Sequence, residues 1–273
     1  MKDLLFLKNS EKTAIMNSRN WLTAIVFIFS VILLLFSNNV YSQSEKTEKE
    51  YKEKWLEVDS LIGKGLPAAA LEKVQLISKQ AKVSHNVPQH IKSLLYTIRL
   101  SSDYKEDFLI DNIYLLEQEA ADAEPPEKQI IYSILADLRW QYYQQNRHLI
   151  LNRTPMAGER PEDFSTWDLK TYIEAVSGDY IRSIQNADAL DIPIGDYAAI
   201  TDGGKDNIAL RPTLFDFLAH RALDFFMNSE AFVSEPENAF RLDDAAYFHT
   251  VPDFIGMDFG GGSVYSLKKQ ALD

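Results

Sequence analysis

The sequence predicts an all-α protein: helical hairpins stacked in a repeat-like, tetratricopeptide-like array, followed by an irregular C-terminal tail. Three observations carry that expectation. Apolar residues recur at intervals of three and four from Tyr51 to Phe226, with no run of alternating strands. Helix breakers separate these runs at Gly63-Lys64-Gly65, Val87-Pro88 and Glu124-Pro125-Pro126. Helix pairs begin near residues 51, 88 and 127, a spacing in the range of helical repeats, although no clean tetratricopeptide signature accompanies it.

The first forty residues read as an export signal. Arg19 precedes sixteen apolar-rich residues, Trp21 to Phe36, and Val40 and Ser42 supply small or slim residues at the minus-three and minus-one positions of a cleavage site after Ser42. Sixteen helical residues span roughly 24 Å, short of the roughly 30 Å hydrocarbon core. The segment therefore favours a signal peptide over an anchor, with translation from Met1 or from Met16. Residues 1–42 are expected to be the signal, 43–50 a charged linker, 51–228 the α-helical domain and 229–273 the tail. The expected location is exported, periplasmic or cell-envelope associated.

Composition narrows the function classes. The chain of 273 residues is 46% hydrophobic and 12% aromatic, ample for a packed core. Its net charge is -12, and residues 1–42 hold four basic against two acidic residues, which leaves the remainder at -14. Such a surface repels nucleic acid and anionic lipid, so membrane contact is expected only through the signal segment. There is no cysteine. Disulfides, thiolate zinc sites, a cysteine nucleophile and cysteine-linked lipid attachment are excluded.

Each helix has its own signal. Tyr51, Trp55, Val58 and Ile62 mark the first, and Leu66, Ala70, Val74, Ile77 and Ala81 share a face of the second, which opens at Leu66-Pro67. Ile91, Leu94, Leu95 and Ile98 mark a third, and Leu109, Ile113, Leu116 and Ala120 a fourth. The central helix begins at Glu127, carries a stripe of Ile131, Ile134, Leu135, Leu138 and Tyr142 with Tyr132, Trp140 and Tyr143 on other sides, and stops at Asn152-Arg153-Thr154-Pro155. After a loop over 156–165, Ser165 or Thr166 is expected to cap a helix from Trp167 to about Ile184, weakened at Ser177-Gly178. Residues 188–210 read as a loose connection. Arg211-Pro212 then opens a helix whose stripe is Phe215, Leu218, Ala219, Ala222, Leu223 and Phe226, expected to pack on the central helix. A helical register resumes at Val264 to Asp273, and its abrupt end is expected to mark a fragment or the first part of a longer polypeptide.

Several constellations invite a chemical reading. Asp216, His220 and Asp224 share one helix face, the pattern of a carboxylate-oriented base or ligand, yet no nucleophile or second histidine accompanies them, and a polar ladder is the expectation. Gln144 to His148 is expected to form a buried hydrogen-bond network bracing the helix end. Asp202 to Asn207 lacks the ligand spacing of a calcium loop, and Gly260 to Ser263 lacks the lysine of a phosphate loop. Asn152-Arg153-Thr154 matches a glycosylation sequon that is common by chance. No catalytic, cofactor-binding or metal-binding residue is assigned, and the chain reads as non-enzymatic.

The phrases Trp55 to Leu61, Gly65 to Leu71, Trp140 to Arg147, Ile150 to Pro155, Thr166 to Leu169 and Arg211 to Leu223, in that order, resemble the N-terminal helical region of very large exported bacterial alpha-2-macroglobulin-like proteins. The resemblance covers about residues 50–273. It implies a protease-trap system of the cell envelope, in which macroglobulin β-sandwich domains and a bait segment capture an attacking protease. The implied partners are those remaining domains, with proteases as indirect targets. None of the family's bait or thioester residues maps onto this chain, so it reads as the leading helical module of such a protein. A stand-alone helical-repeat protein binding peptides or glycans is the alternative.

Overall fold

A computed structural model describes residues 47–103, 105–155, 160–201 and 209–228, together with Thr250, Pro252, Asp253 and Met257. Among these residues the protein is all-helical, with neighbouring helices packed in adjacent pairs, and its only β-type pairing is an isolated bridge between Pro193 and Thr213. The signal expected over 1–42, the DGGKDN turn at 202–207 and the tail expected over 229–273, with its helix at Val264 to Asp273, lie outside the described residues. No described helix is long and apolar enough to cross a membrane.

The chain divides into two compact units, Met1–Ser60 and Leu61–Asp273. The first contributes most of helix α1, residues 47–63. Tyr51, Trp55 and Val58 are buried as their spacing predicts. The helix begins inside the expected linker, because Glu48, Lys49 and Glu50 are helix formers and Lys54 pairs with Glu50 one turn back at 2.6 Å.

In the second unit, α2 (Pro67–Val83) and α3 (Val87–Ser101) lie against each other. Proline in the first turn of each helix removes an N–H that the helix start leaves unpaired in any case. Ala70, Val74, Ile77 and Ala81 are buried, whereas Leu66 is the exposed residue preceding the helix rather than part of its stripe. The joints before and after α2 close by the same device. Gly65 N–H donates to Ile62 and Leu66 N–H to Leu61, and one helix later His85 N–H donates to Lys82 and Asn86 N–H to Ala81. This paired closure needs a left-handed residue at its corner. Gly65 (φ 69°) supplies it without a Cβ penalty, and His85 (φ 51°) supplies it with one.

Helix α4 (Phe108–Asp122) packs on α5 (Glu127–Ile150), which packs even more extensively on α6 (Leu169–Ser183). By contrast α3 and α4 touch little, so the tight pairs are α2 with α3, α4 with α5 and α5 with α6. Helix α5 is buried on several sides, with Ile130, Ile131, Leu135, Ala136, Leu138, Trp140, Tyr143 and Ile150 all inside. Ile134 and Tyr142, expected in its main stripe, are only half-buried.

The remaining elements depart from the sequence reading in instructive ways. Phe164–Thr166 forms a short 3₁₀ turn, and the cap of α6 is Asp168, whose Oδ1 accepts from the Thr171 N–H at 2.9 Å. The Asp168 side chain satisfies a free N–H at the helix start, whereas Ser165 and Thr166 belong to the 3₁₀ turn before it and the Thr166 hydroxyl donates to the Asp163 carbonyl at 2.7 Å. Ser177-Gly178 does not interrupt α6, since Ser177 is buried and tertiary packing outweighs the glycine's low propensity. Residues 187–200 are more ordered than expected. They form α7 (Ala187–Leu190) and a 3₁₀ turn at Ile194–Tyr197, bury Leu190, Ile194 and Tyr197, and are fastened by Ile194 N–H to Pro212 and Leu214 N–H to Ile192, both at 2.9 Å.

That fastening delays helix α8 (Leu214–Phe226) by three residues from Arg211. A capping box starts it: Thr213 Oγ1 accepts from the Asp216 N–H at 3.1 Å, and the Asp216 carboxylate accepts from the Thr213 N–H at 3.0 Å. Its buried face is Leu214, Leu218, Ala222, Phe225 and Phe226, while Leu223 is exposed and Phe215 and Ala219 are half-buried. The face is rotated from the expected stripe because α8 lies against α6 more than against α5. Phe225 meets Trp140 of α5 edge-on at 5.3 Å and stacks on Tyr180 of α6 at 5.1 Å.

Candidate functional site

The most elaborate side-chain arrangement lies where α4, α5 and α6 meet. Arg139 stands one and two helical repeats after Leu135 and Ile131, in the buried register of α5, and is 3% exposed. Its Nη1 donates to the carboxylate of Asp179 on α6 and its Nη2 to Glu117 on α4. Asp179 is fully buried and also accepts from Arg182 at 2.7 Å. Burial pushes the Asp179 carboxyl up from the ordinary aspartate range, against the opposing pull of Arg139, Arg182 and Arg160. A carboxylate so enclosed is held by its guanidinium partners, and removing one would strand a charge in the core.

Aromatic rings surround this ion pair. The Trp167 indole N–H donates to the Pro161 carbonyl at 2.8 Å, and the Trp167 carbonyl accepts from Arg153 at 2.6 Å, which ties the end of α5 to the start of α6. The Arg160 guanidinium lies 3.8 Å from the Trp167 ring centre and that of Arg139 5.6 Å. Phe164 touches Tyr114, Tyr142 and Trp167 at centroid distances of 5.2, 5.2 and 6.0 Å, and Tyr172 packs on Trp167 at 5.4 Å. Burial raises the Tyr172 phenol well above its ordinary range and pushes Tyr180 and Tyr197 up to about 12. These phenols stay neutral at physiological pH and act as packing groups.

The residues singled out by sequence are not brought together. Asp216 is engaged in the capping box, His220 Nδ1 lies 2.7 Å from the Asp216 carbonyl of its own helix, and Asp224 is exposed. The three form a local polar ladder. Gln144, Gln145, Arg147 and His148 are exposed and Asn146 is half-buried, so the expected buried network does not form. The end of α5 is braced instead by Arg153, with Asn146 donating to the Tyr142 carbonyl at 3.0 Å and Asn152 to that of His148 at 2.7 Å. Asn152, the sequon residue, is exposed.

Sequence reasoning missed the Arg139–Asp179 pair, although a signal was present. Arg139 continues the register Ile131, Leu135, and Asp179 continues Tyr172, Val176, so opposite charges occupy core positions on successive helices. The arrangement orients helices, and it offers no free nucleophile. Among the described residues, no group of three or more histidines and carboxylates is placed to hold a metal ion. No protein-family model matches the chain, and neither a curated protein nor a solved structure is detectably similar to it.

Proposed function

We propose that residues 51–228 are a non-catalytic helical scaffold and interaction module of an alpha-2-macroglobulin-like protease-inhibitor protein, exported to the bacterial cell envelope. The observation that carries this reading is the ordered set of six phrases that resemble that family's N-terminal region. Its support lies in where the phrases fall. Trp140, Arg153, Trp167 and the stretch from Arg211 to Leu223 include side chains that join the helices, through the Arg153–Trp167 bond, the Trp140–Phe225 contact and the Arg221 bond to Ser133 at 2.9 Å. A set of phrases whose residues fasten helices together is what a scaffold requires.

An antibody against residues 51–228, applied to fractions of the native cell, tests the reading. The expected product is an envelope-associated polypeptide far larger than the 31.2 kDa of this chain, which captures an added protease after cleavage. A product no larger than this chain, with no protease captured, sinks it. The alternative, a stand-alone exported binding protein for peptides or glycans, is favoured by one observation, an open cleft at the α2–α3 and α4–α5 joints. Blank peptide and glycan panels remove that alternative.

A further inference from the structure

The cleft has a volume of 520 Å³, within the range of small-ligand sites, and is formed where the α2–α3 joint and the α4–α5 joint come together. Glu119, Asp122, Glu124 and Glu127 line it, against Lys82 and two histidines, His85 and His90. The acidic groups differ in their engagement. Glu127 pairs with His90 Nδ1, and Glu119 pairs with Lys82 at 2.5 Å, while Asp122 and Glu124 are exposed at the rim.

His90 marks the site as more than a charged surface. It is 2% exposed, its Nδ1–H donates to Glu127, and its Nε2 has no hydrogen-bond partner although it is buried. An unsatisfied buried polar atom is costly and calls for a partner. The nearest polar group is the Glu119 carboxylate, whose Oε2 is 3.7 Å away. That separation is too long for a hydrogen bond, yet one nitrogen donor about 2.9 Å from each atom would bridge them. With Nε2 carrying no proton both atoms are acceptors, and a group with at least two N–H donors bridges them.

We propose that this cleft binds a compact organic cation, a primary ammonium or a guanidinium, whose N–H groups bridge His90 Nε2 and Glu119 while Asp122 and Glu124 neutralise its charge. The Lys82 ammonium occupies Glu119 from the outside, on a side chain that is 46% exposed, and the ligand displaces it. A metal ion is a poorer fit, because no three ligating groups converge there. The cation comes either as a free amine or as a lysine or arginine side chain of another polypeptide. The inference holds whether the module belongs to a larger protein or stands alone.

Titration of the full chain with agmatine, and separately with a capped peptide containing one arginine, tests the proposal by calorimetry and by NMR of the His90 ring. Saturable binding is expected with at least one probe, and loss of it when citrulline replaces arginine or butanol replaces agmatine. Binding of agmatine and peptide alike indicates a free-cation site; binding of the peptide alone indicates a side chain. Lys82→Met should tighten binding several-fold by removing the internal competitor. Glu119→Gln should weaken it by about tenfold or more, as should the rim pair Asp122→Asn with Glu124→Gln, which leaves the core untouched. Absence of saturable binding to both the parent chain and Lys82→Met, equal binding of the neutral probes, or no gain from Lys82→Met overturns it.

Discussion

The α2–α3 pair and the α4–α5–α6 body each contain two helices joined by a short turn, α2 with α3 and α4 with α5, yet they are held by different physics. The buried face of α2 is Ala70, Val74, Ile77 and Ala81, small aliphatic groups with no ring and no charge, outside the cluster that runs from Ile91 to Phe226. Between α5 and α6 stand Tyr142, Tyr143, Trp167 and Tyr172 around a buried Arg139–Asp179 pair. Small aliphatic faces tolerate sliding and repacking, because their attraction has little direction. An interlocked set of rings with a charge pair at its centre fits in one register only. The comparison teaches that one part of the molecule fixes geometry while the other leaves an open joint, and the cleft lies at that joint.

Removing one partner of the buried pair should give the largest effect. Arg139→Ala is expected to cost about 3–5 kcal/mol in denaturant unfolding, because it strands Asp179 in the core. The double variant Arg139→Met with Asp179→Leu should recover most of that loss, since an apolar pair of similar volume avoids desolvation altogether. Failure of the double variant to recover would show that the pair contributes stability beyond its own compensation. Ile77→Ala, on the aliphatic face of α2, should cost about 2–4 kcal/mol while leaving the near-ultraviolet circular dichroism of Trp140 and Trp167 unchanged. A changed aromatic signal would mean that the two regions are not separable.

Smaller effects sharpen the same contrast. Thr213→Ala removes half of the capping box and should cost about 1 kcal/mol, read as earlier amide exchange in α8 before α5. A further effect is confined to alkaline pH. Tyr180 and Tyr197 are raised from 10.0 to about 12, so the unfolded chain releases these protons first. Their contribution is fully present below about pH 10 and declines by about 1 kcal/mol per pH unit per group as pH rises toward 12. Tyr180→Phe should flatten this decline without altering stability at pH 7, measured as unfolding free energy against pH.

Helix positions were legible in the sequence wherever a breaker met a strong apolar register. Gly63-Lys64-Gly65, Pro88, Pro125-Pro126 and Pro155 mark the ends of α1, α2, α4 and α5 to within a few residues, because proline and glycine act through local backbone geometry. Caps and faces were less legible. Asp168 was passed over for its neighbours, and the α8 stripe was set one position away, since several apolar residues on one helix compete for the buried side. The role of Gln144 to His148 was misread because burial depends on which helix arrives alongside, and none among the described residues covers that face.

By itself, then, the sequence determined an all-α chain, the order of its helices and the absence of cysteine chemistry, for these follow from local periodicity and composition. Only the tertiary structure decided that Arg139 meets Asp179 forty residues away, that α8 leans on α6, and that His90 from α3 faces Glu119 of α4 and Glu127 of α5 across one cleft. These are non-local pairings, set by how helix faces compete for burial. A spacing rule within one helix carries no information about which face of another will meet it.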